Sequence, residues 1–504
     1  MQSHAVADLV VCSMDGWPGF GRAPGLRPIC GMRHNRRGQR GVAPCCPGKI
    51  TGCIAAGGRL LLPAGHAATV AAPHRYSGHL DTPTVTDTET VAAPARRAPV
   101  HAPMPQFPTR DGQLVVGGEL LSTLAERVGQ TPFYAYDRSL LRQRAAQLRA
   151  ALPPAIKLHY AMKANPMPAV VGFMAGLVDG IDVASGGELK VALDAGAHPA
   201  EISFAGPGKR AAELRQAVAS RVLINLESMR EATLLADISQ QLGLPARVAV
   251  RINPDFELKG SGMKMGGGPK QFGIDVEVLP QMLALIDAGG LAFEGFHLFA
   301  GSQNLRSESI CEAQQKSFAL ALRLAQGCPQ PLRFLNLGGG FGIPYFPGEQ
   351  RLDLAPIADN LADLVQRAKT ELPEASLVIE LGRYLVGEAG VYVTRILDRK
   401  VSRGQVFLVT DGGLNHHLSA SGNFGQVVRK NYPVTIGNKA DAVQREVASV
   451  VGPLCTPLDL LADRMDLPTA DVGDLVVVYQ SGAYGASASP QAFLGHAPCI
   501  EVLV

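Results

Sequence analysis

The sequence has few charged residues and almost no charge imbalance. Lys, Arg, Asp and Glu make up 18% of the 504 residues, and 47 basic residues stand against 44 acidic ones. A protein that recognises nucleic acid by its phosphates carries a basic excess, which a net charge of +3 does not provide. Hydrophobic residues reach 46%, far from the composition of a disordered chain. We therefore expect a folded protein with no nucleic-acid partner.

Several sequence motifs are also missing. No run of about 18 apolar residues occurs, so we predict neither a transmembrane helix nor a membrane partner. No CxxC pair is present, and the adjacent His416 and His417 have no third ligand beside them, so we predict no metal site. No internal repeat is present, which excludes a solenoid or a propeller.

Residues 1–103 differ in composition from the rest of the chain. They contain 11 Lys and Arg against five Asp and Glu, five of the nine cysteines and the only tryptophan, without lasting helical or strand periodicity. Arg59 and His66 interrupt the most apolar stretch, which argues against a signal peptide. A transit peptide lacks its amphipathic helix, and a zinc site lacks regular ligand spacing. We predict a disordered extension, or one that is not translated because synthesis starts near Met104.

Strand and helix patterns alternate over residues 133–384. Eight short runs rich in β-branched and aromatic residues follow one another: KLHYAMK, GIDVAS, EISFAG, VLINLE, RVAVRI, FEGFHLF, FLNLGGG and LVIELG. Amphipathic stretches with apolar residues three and four positions apart separate most of them. This α/β pattern predicts a parallel (β/α)8 barrel of the TIM type. The alternative, an open doubly wound sheet, lacks its glycine fingerprint after the first strand.

The pattern changes over residues 385–504. Runs such as GVYVTRILDRKV, GQVFLVTDGG and DLVVVYQSGAY follow closely between turn residues, with little helical periodicity. These runs predict a C-terminal all-β domain. Residues 104–132 contain the run LVVGG, and we expect this segment to join the β-domain.

Polar residues stand at the ends of most predicted barrel strands, where this fold places its chemistry. They are Lys163, Asp182, Ser185, Glu227, Arg251, His297, Gly338–Gly340, Glu380 and Arg383. A strand-end lysine can form a Schiff base with a carbonyl, and a glycine triplet with a following arginine matches the phosphate site of barrels. A carbonyl and a phosphate together indicate pyridoxal 5'-phosphate, whose ring nitrogen a carboxylate such as Glu380 keeps protonated.

Seven ordered motifs resemble the fold-type III pyridoxal-phosphate decarboxylases, the ornithine, lysine, arginine and diaminopimelate decarboxylase family 2. Between about residue 109 and residue 504 these are YAMKAN, DVASGGE, GFHLFAGSQ, NLGGGFGIPY, ELGRYLVGEAG, GPLC and SGAYGA. The resemblance implies an alanine-racemase-like barrel with a C-terminal β-domain, and decarboxylation of an L-amino acid or a derivative. MKMGGGPKQFGID and FAGSQN are similar to the branch associated with exosortase A systems, which implies a role in exopolysaccharide biosynthesis.

The resemblance also implies a role for each matching residue. Lys163 would form the Schiff base, His297 would stack on the cofactor ring, and Glu380 would pair with the ring nitrogen. Cys455 would donate a proton to the α-carbon in the neighbouring subunit, which implies a homodimer with active sites at the interface; a catalytic thiol suits the reducing cytoplasm. The implied phosphate ligands are Ser302, Gly339, Gly340, Arg383 and Tyr484, and Asp182, Arg251 and Gly382 complete the cofactor site.

Three positions depart from the diaminopimelate decarboxylase pattern. Thr456 stands where those enzymes have an acidic residue after the cysteine, and Ser419 and Asn423 replace an arginine and a tyrosine. Without charge-assisted contacts the pocket loses its strongest discrimination, so we predict that free diaminopimelate is not the substrate. A neutral or masked distal end, as in an amino acid tethered to a carrier, fits better. Leu381 replaces the usual proline of Glu-Pro-Gly-Arg and leaves both charged residues in place.

Two alternative activities remain open. The first is diaminopimelate decarboxylation for lysine biosynthesis, despite the three departures. The second is amino-acid racemisation, because racemases share the barrel and the lysine. Racemases, however, place an arginine at the ring nitrogen and a tyrosine as second base, so Glu380 and Cys455 favour decarboxylation.

Overall fold

The computed structural model describes residues 100–256, 263, 264 and 266–504. The extension predicted for residues 1–103 lies outside the described residues apart from its last four. Of these, Val100 accepts a backbone hydrogen bond from Gly348 at 2.9 Å.

The described residues form 22 β-strands and ten α-helices. The strands are β1 (Thr109–Arg110), β2 (Gln113–Val116), β3 (Glu119–Leu120), β4 (Phe133–Tyr136), β5 (Lys157–Ala161), β6 (Gly180–Val183), β7 (Ile202–Phe204), β8 (Leu223–Leu226), β9 (Arg247–Asn253), β10 (Met263–Lys264), β11 (Ile274–Asp275), β12 (Ala292–Leu298), β13 (Gly301–Ser302), β14 (Phe334–Gly339), β15 (Ser376–Leu381), β16 (Gly390–Ser402), β17 (Gln405–Thr410), β18 (Val434–Ile436), β19 (Arg445–Val451), β20 (Leu460–Pro468), β21 (Leu475–Val478) and β22 (Ile500–Leu503). The helices are α1 (Leu121–Val128), α2 (Arg138–Ala151), α3 (Pro168–Ala175), α4 (Gly186–Asp194), α5 (Ala211–Ala219), α6 (Met229–Leu242), α7 (Leu279–Ala288), α8 (Ser307–Ala325), α9 (Ala355–Glu371) and α10 (Arg383–Val386).

Eight parallel strands close into a barrel. Their order is β5, β6, β7, β8, β9, β12, β14 and β15, and β15 pairs again with β5. These strands are the eight runs identified in the sequence, so the predicted (β/α)8 barrel is confirmed. An open sheet is excluded because the first and last strands are hydrogen-bonded to each other.

Serine caps start two of the helices that follow barrel strands. The hydroxyl of Ser185 accepts from the backbone N–H of Glu188 at 3.1 Å, and the hydroxyl of Ser228 accepts from that of Glu231 at 3.2 Å. Such caps satisfy N–H groups that a helix leaves unpaired at its start. The helices α4 and α6 therefore begin within a few residues of the ends of β6 and β8. Because the barrel strands are parallel, their carboxyl ends all lie at the same open end of the barrel.

A second, mixed sheet follows the barrel in the order β18, β21, β16, β17, β19 and β20. Its long strand β16 also pairs with β4, and β4 pairs with β22 at the end of the chain. We had predicted from the sequence that residues 133–136 belong to the barrel. In the structure they form β4, which is a strand of this second sheet. FYAY is buried at every position, which suits an inner strand with pairing on both sides.

The segment before β4 packs on this second sheet. Strands β1 to β3 form a small antiparallel sheet, and Leu114 and Val116 of β2 share a core with Phe133, Val391 and Val477. The shared core joins residues 104–132 to the β-domain. No helix within the described ranges is both long and apolar enough to cross a bilayer.

Candidate active site

Lys163 lies in the short 3-10 turn Met162–Ala164, directly after β5 at the open end of the barrel. Met162 and Ala164 are buried, whereas the lysine is exposed, and its Nζ lies 5.8 Å from the centre of the Phe299 ring. A Cβ at Gly382 would approach the Ala164 Cβ to 2.9 Å. A glycine there therefore lets the turn after β15 pack against the lysine turn.

Glu380 and His297 face each other inside the barrel at the same end. His297 Nε2 lies 3.2 Å from Glu380 Oε2, and the Asn336 amide donates to that oxygen at 3.0 Å. Burial alone would raise the pKa of Glu380. The opposing effect of His297, Lys163 and Arg251 is larger, so the pKa of Glu380 lies well below its usual value. Glu380 is therefore ionised at neutral pH. Within the described part of the chain, His297 Nε2 has only the Glu380 carboxylate beside it, and the buried Nδ1 has no hydrogen-bond partner.

Arg251 is held beside this pair by Glu227. Its Nη1 donates to Glu227 Oε1 at 3.0 Å, and both side chains are buried. Glu227 also accepts from the backbone N–H groups of Gly206 and Gly273. Burial raises the pKa of Glu227, but Arg251 and the other donors lower it below its usual value. Glu227, which the sequence marked without a role, therefore serves to orient Arg251.

The glycine loop after β14 closes against two neighbouring segments. Gly340 has φ +76°, and a Cβ there would overlap the carbonyl oxygen of Gly301, next to Ser302. A Cβ at Gly339 would overlap the carbonyl oxygen of Glu380. These contacts bring Ser302, Gly339 and Gly340 together beside Glu380; their role as one anion-binding loop cluster stays a prediction.

Arg383 and Tyr484 complete the cluster from the other side. The guanidinium carbon of Arg383 lies 4.6 Å from the centre of the Tyr484 ring, and its Nη1 donates to the Tyr345 hydroxyl at 2.8 Å. The backbone N–H of Tyr484 donates to the carbonyl of Ala164 at 2.7 Å, which ties it to the lysine turn. Asp182 lies on the neighbouring strand β6, where it contacts His159.

The predicted substrate residues divide into two groups. The Ser419 hydroxyl donates to the carbonyl of Tyr484 at 2.9 Å, which places Ser419 at the cofactor cluster. Cys455 and Thr456 lie in the loop between β19 and β20, and the thiol is exposed. Asn423 donates to Leu458 in that same loop at 3.3 Å. Among the described contacts of Cys455 and Thr456, none joins them to the cluster around Lys163.

Some residues of the cluster were not found from the sequence. Asn336 in FLNL and His159 in KLHYA are polar residues inside apolar strands, and the two-residue alternation of a barrel strand turns them toward the interior. That alternation was the signal available for both. Tyr345 lies in a loop after β14, and no pattern in the sequence links it to Arg383.

We expect Gly340→Ala to weaken the anion-binding loop. The alanine would have to adopt a left-handed backbone conformation, and its methyl group would overlap the Gly301 carbonyl. This strain should cost about 1–3 kcal/mol and lower the affinity for pyridoxal phosphate. Titration of the cofactor-free variant with pyridoxal phosphate measures the loss. Gly112→Ala is the matched control, because Gly112 has φ +74° but nothing within 4 Å of its Cβ position. Equal affinities for the two variants would contradict this view of the loop.

Comparison with known proteins identifies relatives along most of the described chain. The family model described as "Pyridoxal-dependent decarboxylase, pyridoxal binding domain" matches residues 138–387. The chain is 40% identical over 380 residues to the L-glutamyl-[BtrI acyl-carrier protein] decarboxylase of Niallia circulans, covering 74% of this chain and 89% of that protein. It is 34% identical over 388 residues to the diaminopimelate decarboxylase of Aquifex aeolicus, covering 76% of this chain and 89% of that protein.

A solved structure shows the same architecture. The diaminopimelate decarboxylase of Helicobacter pylori, complexed with L-lysine, superposes with a TM-score of 0.66 at 29% identity. The match covers 76% of this chain and 94% of that one, so it spans the barrel and the β-domain together.

The described side chains fit a phosphorylated ring cofactor. Around Lys163, the described structure leaves several buried polar atoms without partners: Nδ1 of His297, Nε of Arg383 and Oδ2 of Asp182. Buried polar atoms are normally satisfied, so a bound group with acceptors and a charged ring is expected between them.

Proposed function

Since the chain belongs to the family of pyridoxal-dependent decarboxylases, we propose that it decarboxylates an amino acid whose distal end is neutral or masked. The enzyme uses pyridoxal phosphate to remove the α-carboxyl group of an amino acid or a derivative, so the predicted cofactor and reaction class are confirmed. The proposal concerns the substrate. The association with exosortase systems and exopolysaccharide biosynthesis stays a prediction.

The uncharged pocket positions carry this proposal. Ser419, Asn423 and Thr456 can supply only hydroxyl and amide groups, and each has a hydrogen bond within the protein; the Thr456 hydroxyl accepts from the backbone N–H of Leu458 at 3.3 Å. The Ser419 hydroxyl is bonded to the Tyr484 carbonyl, and the Asn423 amide to the Ser421 hydroxyl at 2.8 Å. A distal carboxylate or ammonium of a substrate would find no charged partner at these positions. Such a partner is the main means by which a pocket selects a substrate with a charged distal group.

Charged residues on the same segments do not replace the missing partners. Asp459 accepts from the backbone N–H groups of Leu414 at 2.6 Å and Leu454 at 2.8 Å. Arg429 donates to the carbonyls of Ser421 and Leu460. Both side chains are occupied by backbone groups that hold the loops in place.

A carrier-linked substrate meets these requirements. A carboxyl group that is joined to a carrier as a thioester or an amide has lost its negative charge, and it needs no cation in the pocket. The similarity to a protein named L-glutamyl-[BtrI acyl-carrier protein] decarboxylase supports this class of substrate. Racemisation has no such support, because the relatives compared above are decarboxylases.

The residue roles belong to the same proposal. Bound pyridoxal phosphate withdraws electrons from the bond that breaks at the α-carbon. Lys163 holds its carbonyl carbon, Glu380 holds the proton on the ring nitrogen, and His297 covers one face of the ring. Ser302, Gly339, Gly340, Arg383 and Tyr484 would hold its phosphate. Cys455 Sγ donates the proton that replaces carbon dioxide.

A homodimer completes the proposed enzyme. Cys455 is exposed, and no described contact joins it to Lys163 of its own chain. A second copy supplies the missing proton donor if the loops exchange between subunits. We place the dimer in the cytoplasm, where a thiol required for proton transfer stays reduced.

Release of carbon dioxide from competing substrates tests the proposal. We expect kcat/KM for L-glutamate loaded on an acyl-carrier protein to exceed that for free diaminopimelate by at least about 100-fold, because free diaminopimelate leaves a distal charge unpaired. The Ser419→Arg, Thr456→Glu double variant should narrow this ratio, whereas the matched Thr456→Ser variant should keep it. Efficient turnover of free diaminopimelate by the unmodified enzyme would refute the proposed substrate class.

A further inference from the structure

Below the cofactor cluster, the interior of the barrel is polar and incompletely paired. His159 on β5, Ser203 on β7 and Asn225 on β8 are all buried there. The Asn225 amide donates to the Ser203 hydroxyl at 2.7 Å. Among the described residues, His159 Nε2 and Asn225 Oδ1 are buried without a hydrogen-bond partner. Such atoms in a native interior usually bond to ordered water.

A cavity supplies access for that water. It has a volume of about 170 Å³, opens at the amino-terminal end of the barrel strands and is lined by Lys157, His159, Ser203, Arg247, Glu294 and Arg333. A water molecule fills about 30 Å³ in the liquid, so the cavity accommodates several. The imidazole of His159 is only 3% exposed, and it forms part of the inner wall of this cavity.

His159 also forms a buried pair with Asp182. Its Nδ1 lies 3.0 Å from Asp182 Oδ1. Burial alone would lower the pKa of His159. The opposing effect of Asp182, Glu201 and Glu380 is larger, so the pKa of His159 lies above its usual value. The other charged groups that surround the cavity are paired with one another: Lys157 with Glu201, and Arg247 with Glu294, while Arg333 is exposed and lies 3.8 Å from Glu374.

The pair lies directly beneath the residues that hold the cofactor. His159 is the strand neighbour of Glu380, and Asp182 is the strand neighbour of Ala161, two residues before Lys163. Asp182 uses one oxygen for His159, while the described contacts leave the other oxygen unpaired at the carboxyl end of β6. His159 therefore decides the orientation of a carboxylate that borders the cofactor site.

We propose that His159 is a positioning residue of the cofactor site. Its ring donates through Nδ1 to Asp182 and through Nε2 to water in the cavity at the amino-terminal end of the strands, and so keeps the Asp182 carboxylate directed at the cofactor cluster. The role depends on the cofactor and not on the identity of the substrate. It also connects the cofactor site with solvent at the opposite end of the barrel.

Two His159 variants test this role through pyridoxal phosphate affinity. His159→Leu removes both the charge and the hydrogen bond to Asp182, so we expect affinity of the cofactor-free protein to fall about tenfold. His159→Gln keeps a donor to Asp182 and should retain affinity within about threefold. Ser203→Ala is the matched control: Ser203 is the strand neighbour of Asp182, but its described side-chain hydrogen bond is to Asn225.

The pH dependence of unfolding gives a second measurement that needs neither substrate nor cofactor. A histidine with a raised folded-state pKa contributes stability that is fully present below its unfolded pKa of about 6.5 and is lost as pH rises through its folded pKa. We expect the cofactor-free protein, and its Ser203→Ala control, to lose stability across that interval, and His159→Gln to lose less. If His159→Leu does not fold, His159→Gln decides. A His159→Gln profile that parallels the unmodified protein, or a folded His159→Leu with unchanged affinity, would overturn the proposal.

Discussion

The Lys163→Ala variant is expected to lose the visible absorbance of lysine-bound pyridoxal phosphate and at least about 1000-fold of decarboxylase activity. The reason is that this lysine, at the open end of the barrel, would supply the amine that bonds to the carbonyl of the cofactor. The nearby Lys209 is no substitute, because it is buried and its Nζ donates to two backbone carbonyls and contacts Glu231. Absorbance spectra and carbon dioxide release measure the two effects.

Lys190→Ala is the control for this variant. Lys190 is exposed on α4 and pairs only locally with Asp194, so its loss should change neither absorbance nor activity. Borohydride reduction of the unmodified enzyme, followed by peptide mass analysis, should leave the cofactor on the peptide that contains Lys163. Cofactor found on another peptide, or full absorbance in Lys163→Ala, would contradict the assignment.

The barrel was predictable because each strand and its helix are local in sequence. Runs such as GIDVAS and VLINLE carry a β-rich core and then change to helical periodicity within a few residues. Closure also follows from this local information, since eight such units fill a barrel. The position of β4 did not follow, because its partners β16 and β22 lie more than 250 residues away.

The same distinction applies to the site. Lys163, His297 and Glu380 were found by one rule, that chemistry lies at the carboxyl ends of barrel strands. Asn336 and His159 are deeper in the strands, where an inward polar residue has meaning only once the barrel is closed. Among the described contacts none joins Cys455 to this cluster, and its proposed role as proton donor therefore rests on the proposed exchange between two chains.

Cys455→Ala should lose about 100- to 10,000-fold in product formation while it keeps cofactor absorbance, because the variant lacks only a proton donor. This combination separates Cys455 from Lys163, whose loss removes both signals. Cys311→Ala is the control, since Cys311 lies on α8 and its thiol donates to the Pro356 carbonyl. A Cys455→Ala enzyme with normal turnover would exclude the thiol as proton donor.

Mixing the two inactive variants decides whether Cys455 acts across the interface. In a dimer of one Lys163→Ala chain and one Cys455→Ala chain, the intact lysine meets the intact cysteine at one of the two sites if the thiol serves its neighbour. Random exchange makes half of the dimers mixed, so about one quarter of the unmodified activity should return. If the thiol serves its own chain, every site lacks either the lysine or the cysteine, and no activity returns. Recovery therefore shows both the dimer and the exchange, and its absence with proven mixing places the proton donor within one chain.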